Sequence, residues 1–199
     1  MHILCFVEEP SAEAALSNLL PRLLPNDTFQ FIVFQGKSNL LNNLESRLRG
    51  YENWLPDDWR IIVLVDEDRE ECQQLKLRLE AIALRVGLLT KSQAAGGAFK
   101  VLNRIAVEEL EAWFLGDIAA LRQEFPRLPA SLAKQRRFRD PDAITGGTWE
   151  TLERLLQRYG YYSTGYLKIE AASRITLWMD PTSNRSHSFQ AFIRGLQAL

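Results

Sequence analysis

Short apolar runs alternate with helical stripes along the first two thirds of the chain. Residues 2–7 form an apolar run short enough for a strand buried on both faces, and Pro10-Ser11 then offers a turn and a helix cap. Leu16, Leu19, Leu20, Leu23 and Leu24 recur at helical spacing, and Pro21 is expected to end or kink that helix. Residues 28–35 predict a second strand, followed by a stripe of Leu40, Leu41, Leu44 and Leu48. Residues 60–65 predict a third strand, with Leu75, Leu79, Ile82, Ala83 and Val86 marking a third helix before the small-residue loop at 94–98. Residues 101–107 predict a fourth strand, and 109–115 and 117–125 two short helices, the second capped by Asp117.

Repeated strand-helix units predict an α/β fold: a mainly parallel, four-stranded, Rossmann-like sheet flanked by helices. Beyond residue 125 the texture changes. Pro126, Pro129, Pro141 and Gly146-Gly147 interrupt a segment that carries Lys134, Arg136, Arg137 and Arg139. Two amphipathic stripes follow, one of Leu152, Leu155, Leu156 and Tyr159, the other of Phe189, Phe192, Ile193 and Leu196. The chain therefore divides into an α/β core over 1–125 and a basic loop with a C-terminal helical extension over 126–199, packed on that core. His187, between Ser186 and Ser188, is a candidate cap for the last helix.

The acidic residues fall where the apolar runs stop. Glu8-Glu9 follows the first strand, Asp66-Glu67-Asp68 the third, and Glu108-Glu109-Leu110-Glu111 the fourth. In a parallel sheet these positions share one carboxyl edge, so carboxylates far apart in sequence can meet in one crevice. Hard divalent cations take oxygen ligands of this kind. Alternation in an extended segment would send Asp66 and Asp68 the same way, and their spacing suits a shared Mg²⁺ or Mn²⁺. Glu8 is a metal ligand or a general base, whereas Glu13 is read as a partner of the helix dipole. Glu108 and Glu111, three apart, are expected to share a helix face and complete the ligand set, with Glu109 pointing elsewhere. An acidic pair after a strand is, taken alone, more often a solvated turn; three such clusters change that balance.

Composition narrows the classes further. At 199 residues, 46% hydrophobic and 25% charged, the chain has the balance of a water-soluble globular protein, and its net charge of -1 gives no overall pull toward nucleic acid or anionic membrane. Nucleic-acid contact must then be local. Lys134, Arg136, Arg137 and Arg139 form a candidate phosphate-contacting patch, with Phe138 among them for base stacking; a solvated loop is the competing account. Lys37, Lys100 and Lys168 are candidate phosphate lysines, Lys37 for nucleic-acid contact and Lys168 for the catalytic set. Gly36-Lys37-Ser38 is no phosphate-binding P-loop, because Phe31 stands where that motif needs glycine. Cys5 and Cys72 make neither a disulfide framework nor a thiolate zinc site, and no run is long enough to span a bilayer. The expectation is a cytoplasmic protein.

Val7-Glu8 and Leu64-Val65-Asp66-Glu67-Asp68 resemble the glutamate and Asp-x-Asp motifs of the Toprim fold, shared by topoisomerases, primases and the overcoming-lysogenization-defect nucleases. Over nearly the whole chain, Phe34-Gln35-Gly36-Lys37, Val65-Asp66-Glu67-Asp68, Val107-Glu108-Glu109-Leu110-Glu111-Ala112-Trp113-Phe114, Trp178-Met179-Asp180-Pro181 and Ser188-Phe189-Gln190-Ala191-Phe192 resemble the bacterial domain-of-unknown-function 4276 family. The chain departs from the Toprim pattern at Glu9 and Glu71, where glycine is usual. The resemblance implies a Mg²⁺-dependent nuclease with nucleic acid as substrate, and a partner ATPase in a defence-like system. The rival is a non-catalytic binding or regulatory module whose acidic edge holds a structural cation or docks a basic partner.

Overall fold

The computed structural model describes residues 1–163 and 165–199. Its centre is a four-stranded, all-parallel sheet of β1 (His2–Val7), β2 (Thr28–Val33), β3 (Trp59–Asp66) and β4 (Val101–Ala106), in the order β2-β1-β3-β4. The register sets Val7 beside Val33 and Leu64, and Asp66 beside Ala106. The expected α/β architecture is present. Among the described residues no helix is long and apolar enough to cross a membrane.

Strand periodicity decides which helices lie on which face. Ile3, Cys5, Val7, Ile62, Leu64, Leu102 and Ala106 point to one side and Leu4, Phe6, Ile61, Val63, Val65, Val101 and Ile105 to the other. The second set is covered by α2 (Lys37–Glu52) and α3 (Cys72–Arg85) through Leu40, Leu44, Leu48, Leu75 and Leu79. The first set meets α1 (Pro10–Leu23) and the rest of the helices: α4 (Glu111–Leu115), α5 (Ile118–Glu124), α6 (Thr148–Arg158), α7 (Lys168–Thr176) and α8 (His187–Leu196). Strands with both faces covered read as unbroken apolar runs, which is why they are so visible in sequence.

The C-terminal extension shares the core. Trp113, fully buried, packs its ring 5.1 Å from those of both Phe189 and Phe192. Arg22 of α1 donates to the carbonyls of Thr176 and Met179 at 2.8 Å each, filling acceptors at the end of α7. Asn18 donates to the Ser173 carbonyl at 2.7 Å, and Arg104 of β4 to that of Ala191 at 3.0 Å.

Several local expectations change. Pro21 lies inside α1 rather than ending it, and Pro10, not Ser11, opens that helix after Glu9, so the Ser11 hydroxyl instead donates to the Glu9 carboxylate. Proline is tolerated in a first turn because its missing N–H has no intrahelical partner there. Strand β2 stops at Val33, although Phe34 N–H still bonds Val7 O, because Gly36 takes φ 88° and turns the chain into α2. Asp117 caps α5 through the Ala120 N–H at 2.9 Å, and Ser186, the neighbour of His187, caps α8 through that of Phe189 at 3.0 Å. Phe138 is buried in the shared core and offers no base a stacking surface.

Candidate functional site

The strand order fixes where a site can form. After β1 the chain adds β2 on one side, then crosses back through α2 to place β3 on the other, so α1 and α2 leave opposite faces and a crevice opens between the carboxyl ends of β1 and β3. Glu8 follows β1 directly, and Asp66 is the last residue of β3. The Asp66 N–H donates to Glu8 Oε2 at 3.2 Å. Glu111, in the first turn of α4, is 1% exposed, and its Oε2 is buried without a hydrogen-bond partner.

These carboxylates share one electrostatic environment. Asp66 is half-buried at the surface, and its carboxyl is held well above the ordinary aspartate pKa, by desolvation first and then by the negative charges of Glu8, Glu111, Glu9 and Asp68. Glu8 is raised mainly by burial, with Asp68 and Glu9 adding to the effect while the backbone N–H groups of Asp66 and Lys37 oppose it. Burial pushes Glu111 up to about 7, against the pull of Lys168. Four chain segments thus contribute to one acidic crevice: the ends of β1 and β3, the start of α4, and Lys168 at the start of α7.

Lys168 comes from the extension. Its Nζ is 3.8 Å from Glu9 Oε1 and 5.4 Å from the Trp149 ring centre, and its own pKa is raised by Glu111, Glu9, Glu109 and Asp66 despite desolvation. Lys37 lies on the same edge but is engaged: it donates to the Glu67 carbonyl at 2.6 Å and pairs with Asp68 at 3.4 Å and Glu70 at 3.5 Å. Lys100 is at the opposite, amino edge, holding the carbonyl of Pro56 at 2.9 Å. It is separated from the crevice by the length of β4.

Two geometric expectations are corrected. Asp68 is not an extended residue alternating with Asp66; it takes φ 53°, is exposed, and sits at the rim beside Lys37. Glu108 does not share a helix face with Glu111, because it precedes α4 at φ 61°. It turns toward Glu67: the Glu108 N–H donates to Glu67 Oε2 at 3.0 Å, and the Asp68 N–H to the Glu108 carbonyl at 2.8 Å. These bonds lock the loops after β3 and β4 together. Glu109 does point elsewhere. Its carboxylate accepts the Thr148 N–H and Oγ1–H and the Trp149 N–H, each at 2.9 Å, and so caps α6.

Tyr166 is a neighbour that sequence reasoning missed. Its hydroxyl is buried without a hydrogen-bond partner, and Glu111 is the leading charge acting on it. Nothing in its local sequence marks it, because only the packing of the extension brings it close. Arg136, Arg137 and Arg139 line a hollow of about 760 Å³ formed by the loop before α6.

All the donors in the crevice are carboxylate oxygens, and one is an orphaned buried atom, which is the chemistry a hard divalent ion takes. As the side chains stand, no three His, Cys, Asp or Glu residues among those described are grouped closely enough to hold a metal ion. The fold and the crevice define a parallel α/β protein with a carboxylate-lined switch point. The family model described as "Domain of unknown function (DUF4276)" matches residues 7–197, and the chain belongs to that family. No curated protein and no solved structure matches it.

Proposed function

We propose that this protein is a cytoplasmic, Toprim-like, Mg²⁺- or Mn²⁺-dependent enzyme that cleaves phosphodiester bonds, a nuclease related to the overcoming-lysogenization-defect nucleases. The observation that carries this reading is the convergence of Glu8 and Asp66 at the β1/β3 switch point with the buried, unpartnered Oε2 of Glu111. With their side chains turned toward one another, Asp66 and Glu111 would hold the cation, with Glu8 a further ligand or the general base, Asp68 at the rim and Glu108 in the outer shell. A bound divalent ion supplies a polarised phosphoryl oxygen and an activated water at neutral pH. In the general-base role Glu8, whose carboxyl is more basic than usual, would accept the proton of the attacking water. Lys168, charged and directed at the same crevice, offsets negative charge on the phosphoryl group in the transition state.

The family resemblance adds a partner ATPase and a defence-like setting to this proposal. The test is cleavage of single- and double-stranded DNA and RNA by the purified protein in Mg²⁺ or Mn²⁺, alongside isothermal titration of the metal. Cleavage abolished by chelator and by Asp66→Ala supports the reading. A protein that takes up neither cation sinks it.

A second reading is a binding or regulatory module, favoured by the two lysines. Lys37 and Lys168 already neutralise part of the acidic edge without a cation, as a structural charge cluster would require. Metal uptake without cleavage of any of the four substrates, with the interaction of a partner preserved in Asp66→Ala, would select it.

A further inference from the structure

A second charged surface lies on the extension, away from the carboxylates. The hollow lined by Arg136, Arg137 and Arg139 adjoins another of about 210 Å³, lined by Arg137, Arg154 and Arg158, and Arg137 belongs to both. None of these five arginines forms an ion pair with a carboxylate among the described residues, although other arginines of the chain do. All five are exposed. Unpaired guanidinium groups gathered along one groove repel each other and are poorly explained as a stabilising device, since opposite charges are what stabilise a protein surface.

The local structure holds the groove in shape. Arg137 donates to the Thr151 hydroxyl at 2.6 Å, tying the loop to α6, and Thr151 in turn donates to the Gly147 carbonyl at 2.8 Å. The Arg154 Nε donates to the Glu150 carbonyl at 3.0 Å. Arg154 and Arg158 are four residues apart on one exposed helix face, about 6 Å along the axis. The acidic residues nearby do not close the groove. Asp140 lines one end of the first hollow, while Glu153 faces away, accepting from Gln157 and from the Tyr166 N–H.

We infer that the groove of Arg136, Arg137, Arg139, Arg154 and Arg158 binds the phosphodiester backbone of a nucleic-acid strand, without reading its sequence. Charges spread over two joined hollows suit a repeating anion; phosphates along one strand of a duplex recur about every 3.4 Å of helix axis, so arginines about 6 Å apart span roughly two phosphate steps. Phe138 is buried and Tyr159, the other ring of the second hollow, is half-buried, so the exposed groups the groove offers are chiefly guanidinium groups, which suit phosphate. The helix that carries Arg154 and Arg158 is the one whose first turn Glu109 caps, three residues after the end of β4, so the groove's helix is tied at its other end to the loop beside the candidate active site. The inference deepens the proposed nuclease reading by naming what holds the substrate, and rests on that reading only for the link to cleavage.

The test is fluorescence anisotropy of the full-length protein with short duplex and single-stranded probes of unrelated sequence, in EDTA and across a salt series. Expected are sequence-independent binding and a loss of tenfold or more in affinity for Arg154→Gln/Arg158→Gln and, separately, for Arg136→Gln/Arg139→Gln. Each double variant should also reduce the magnitude of the salt slope by roughly 2. Because these side chains are exposed, circular dichroism of the variants should match the parent. Cleavage in Mg²⁺ is read separately, so that absent cleavage with arginine-dependent binding intact counts against the catalytic reading alone. Absence of binding by the parent, an unchanged salt slope in both double variants, or preference for anionic vesicles over nucleic acid would overturn the inference.

Discussion

Asp66 and Glu8, 58 residues apart, are joined by a hydrogen bond of 3.2 Å from the Asp66 N–H to Glu8 Oε2, and that bond makes the end of β3 a support for the carboxylate at the end of β1. The same proximity puts two negative charges into a crevice where desolvation already disfavours both. A site of this kind is under electrostatic stress until a cation or a proton relieves it.

Asp66→Ala is therefore expected to lose divalent-ion affinity and any Mg²⁺-dependent cleavage while the metal-free protein keeps or gains thermal stability. Asp68→Ala, at the rim, should weaken the ion less. Titration calorimetry with Mn²⁺ and thermal melts in EDTA check both. Full divalent-dependent cleavage in Asp66→Ala would remove the proposed active site.

The crevice also sets a pH dependence. Glu111 is raised to about 7 from an ordinary value of 4.5, and Glu8 and Asp66 move the same way. An acid that holds its proton more tightly when folded adds stability below its unfolded pKa and loses it as pH rises through the folded one. The metal-free protein should thus become less stable between about pH 4.5 and 7, by roughly 3 kcal/mol for Glu111 at most. Melting temperature in EDTA should fall by several degrees over that window, less so in Glu111→Gln, and Mn²⁺ should restore it at pH 8. A melting temperature that climbs from pH 5 to 8 in both proteins would contradict this.

Glu109 should behave unlike its acidic neighbours. Its carboxylate receives three hydrogen bonds at the start of α6. Charge-assisted bonds of this type each contribute on the order of 1.5–3 kcal/mol, non-additively. Glu109→Ala is expected to cost about 2 kcal/mol in urea unfolding while leaving Mn²⁺ affinity within a factor of a few of the parent. A large loss of metal binding without destabilisation would make Glu109 a ligand instead.

Gly116, between α4 and α5, marks a close approach. A Cβ there would run into Asn184 Oδ1 and come within 2.9 Å of the Ser186 nitrogen, in the loop before α8. That loop is fastened by the Asn184 side chain, which donates to the Trp113 carbonyl at 2.7 Å. Overpacking of a buried contact typically costs about 1–3 kcal/mol, and Gly116→Ala should fall in that range by denaturant titration. Unchanged stability would show that the loop can move aside freely.

The sequence by itself determined the sheet and the edge on which the acids lie. Apolar runs at 2–7, 60–65 and 101–107 are strands because both faces of a parallel sheet are covered, and an acid immediately after such a run is confined to the carboxyl edge by chain direction alone. Glu8 and Asp66 were legible for that reason, and so was the helical character of the C-terminal third. Tertiary structure decided everything that depends on how separate segments meet. The left-handed turns at Asp68 and Glu108 follow from bonds between two loops, not from local propensity, so the alternation argument for Asp68 and the helix-face argument for Glu108 failed there. Phe138 went into the core because the extension packs over it, although its basic neighbours read as a surface loop. Lys168 and Tyr166 reach Glu111 only because α7 is fastened to α1 by Asn18 and Arg22, and no periodicity along one strand of sequence records a contact made across more than 150 residues.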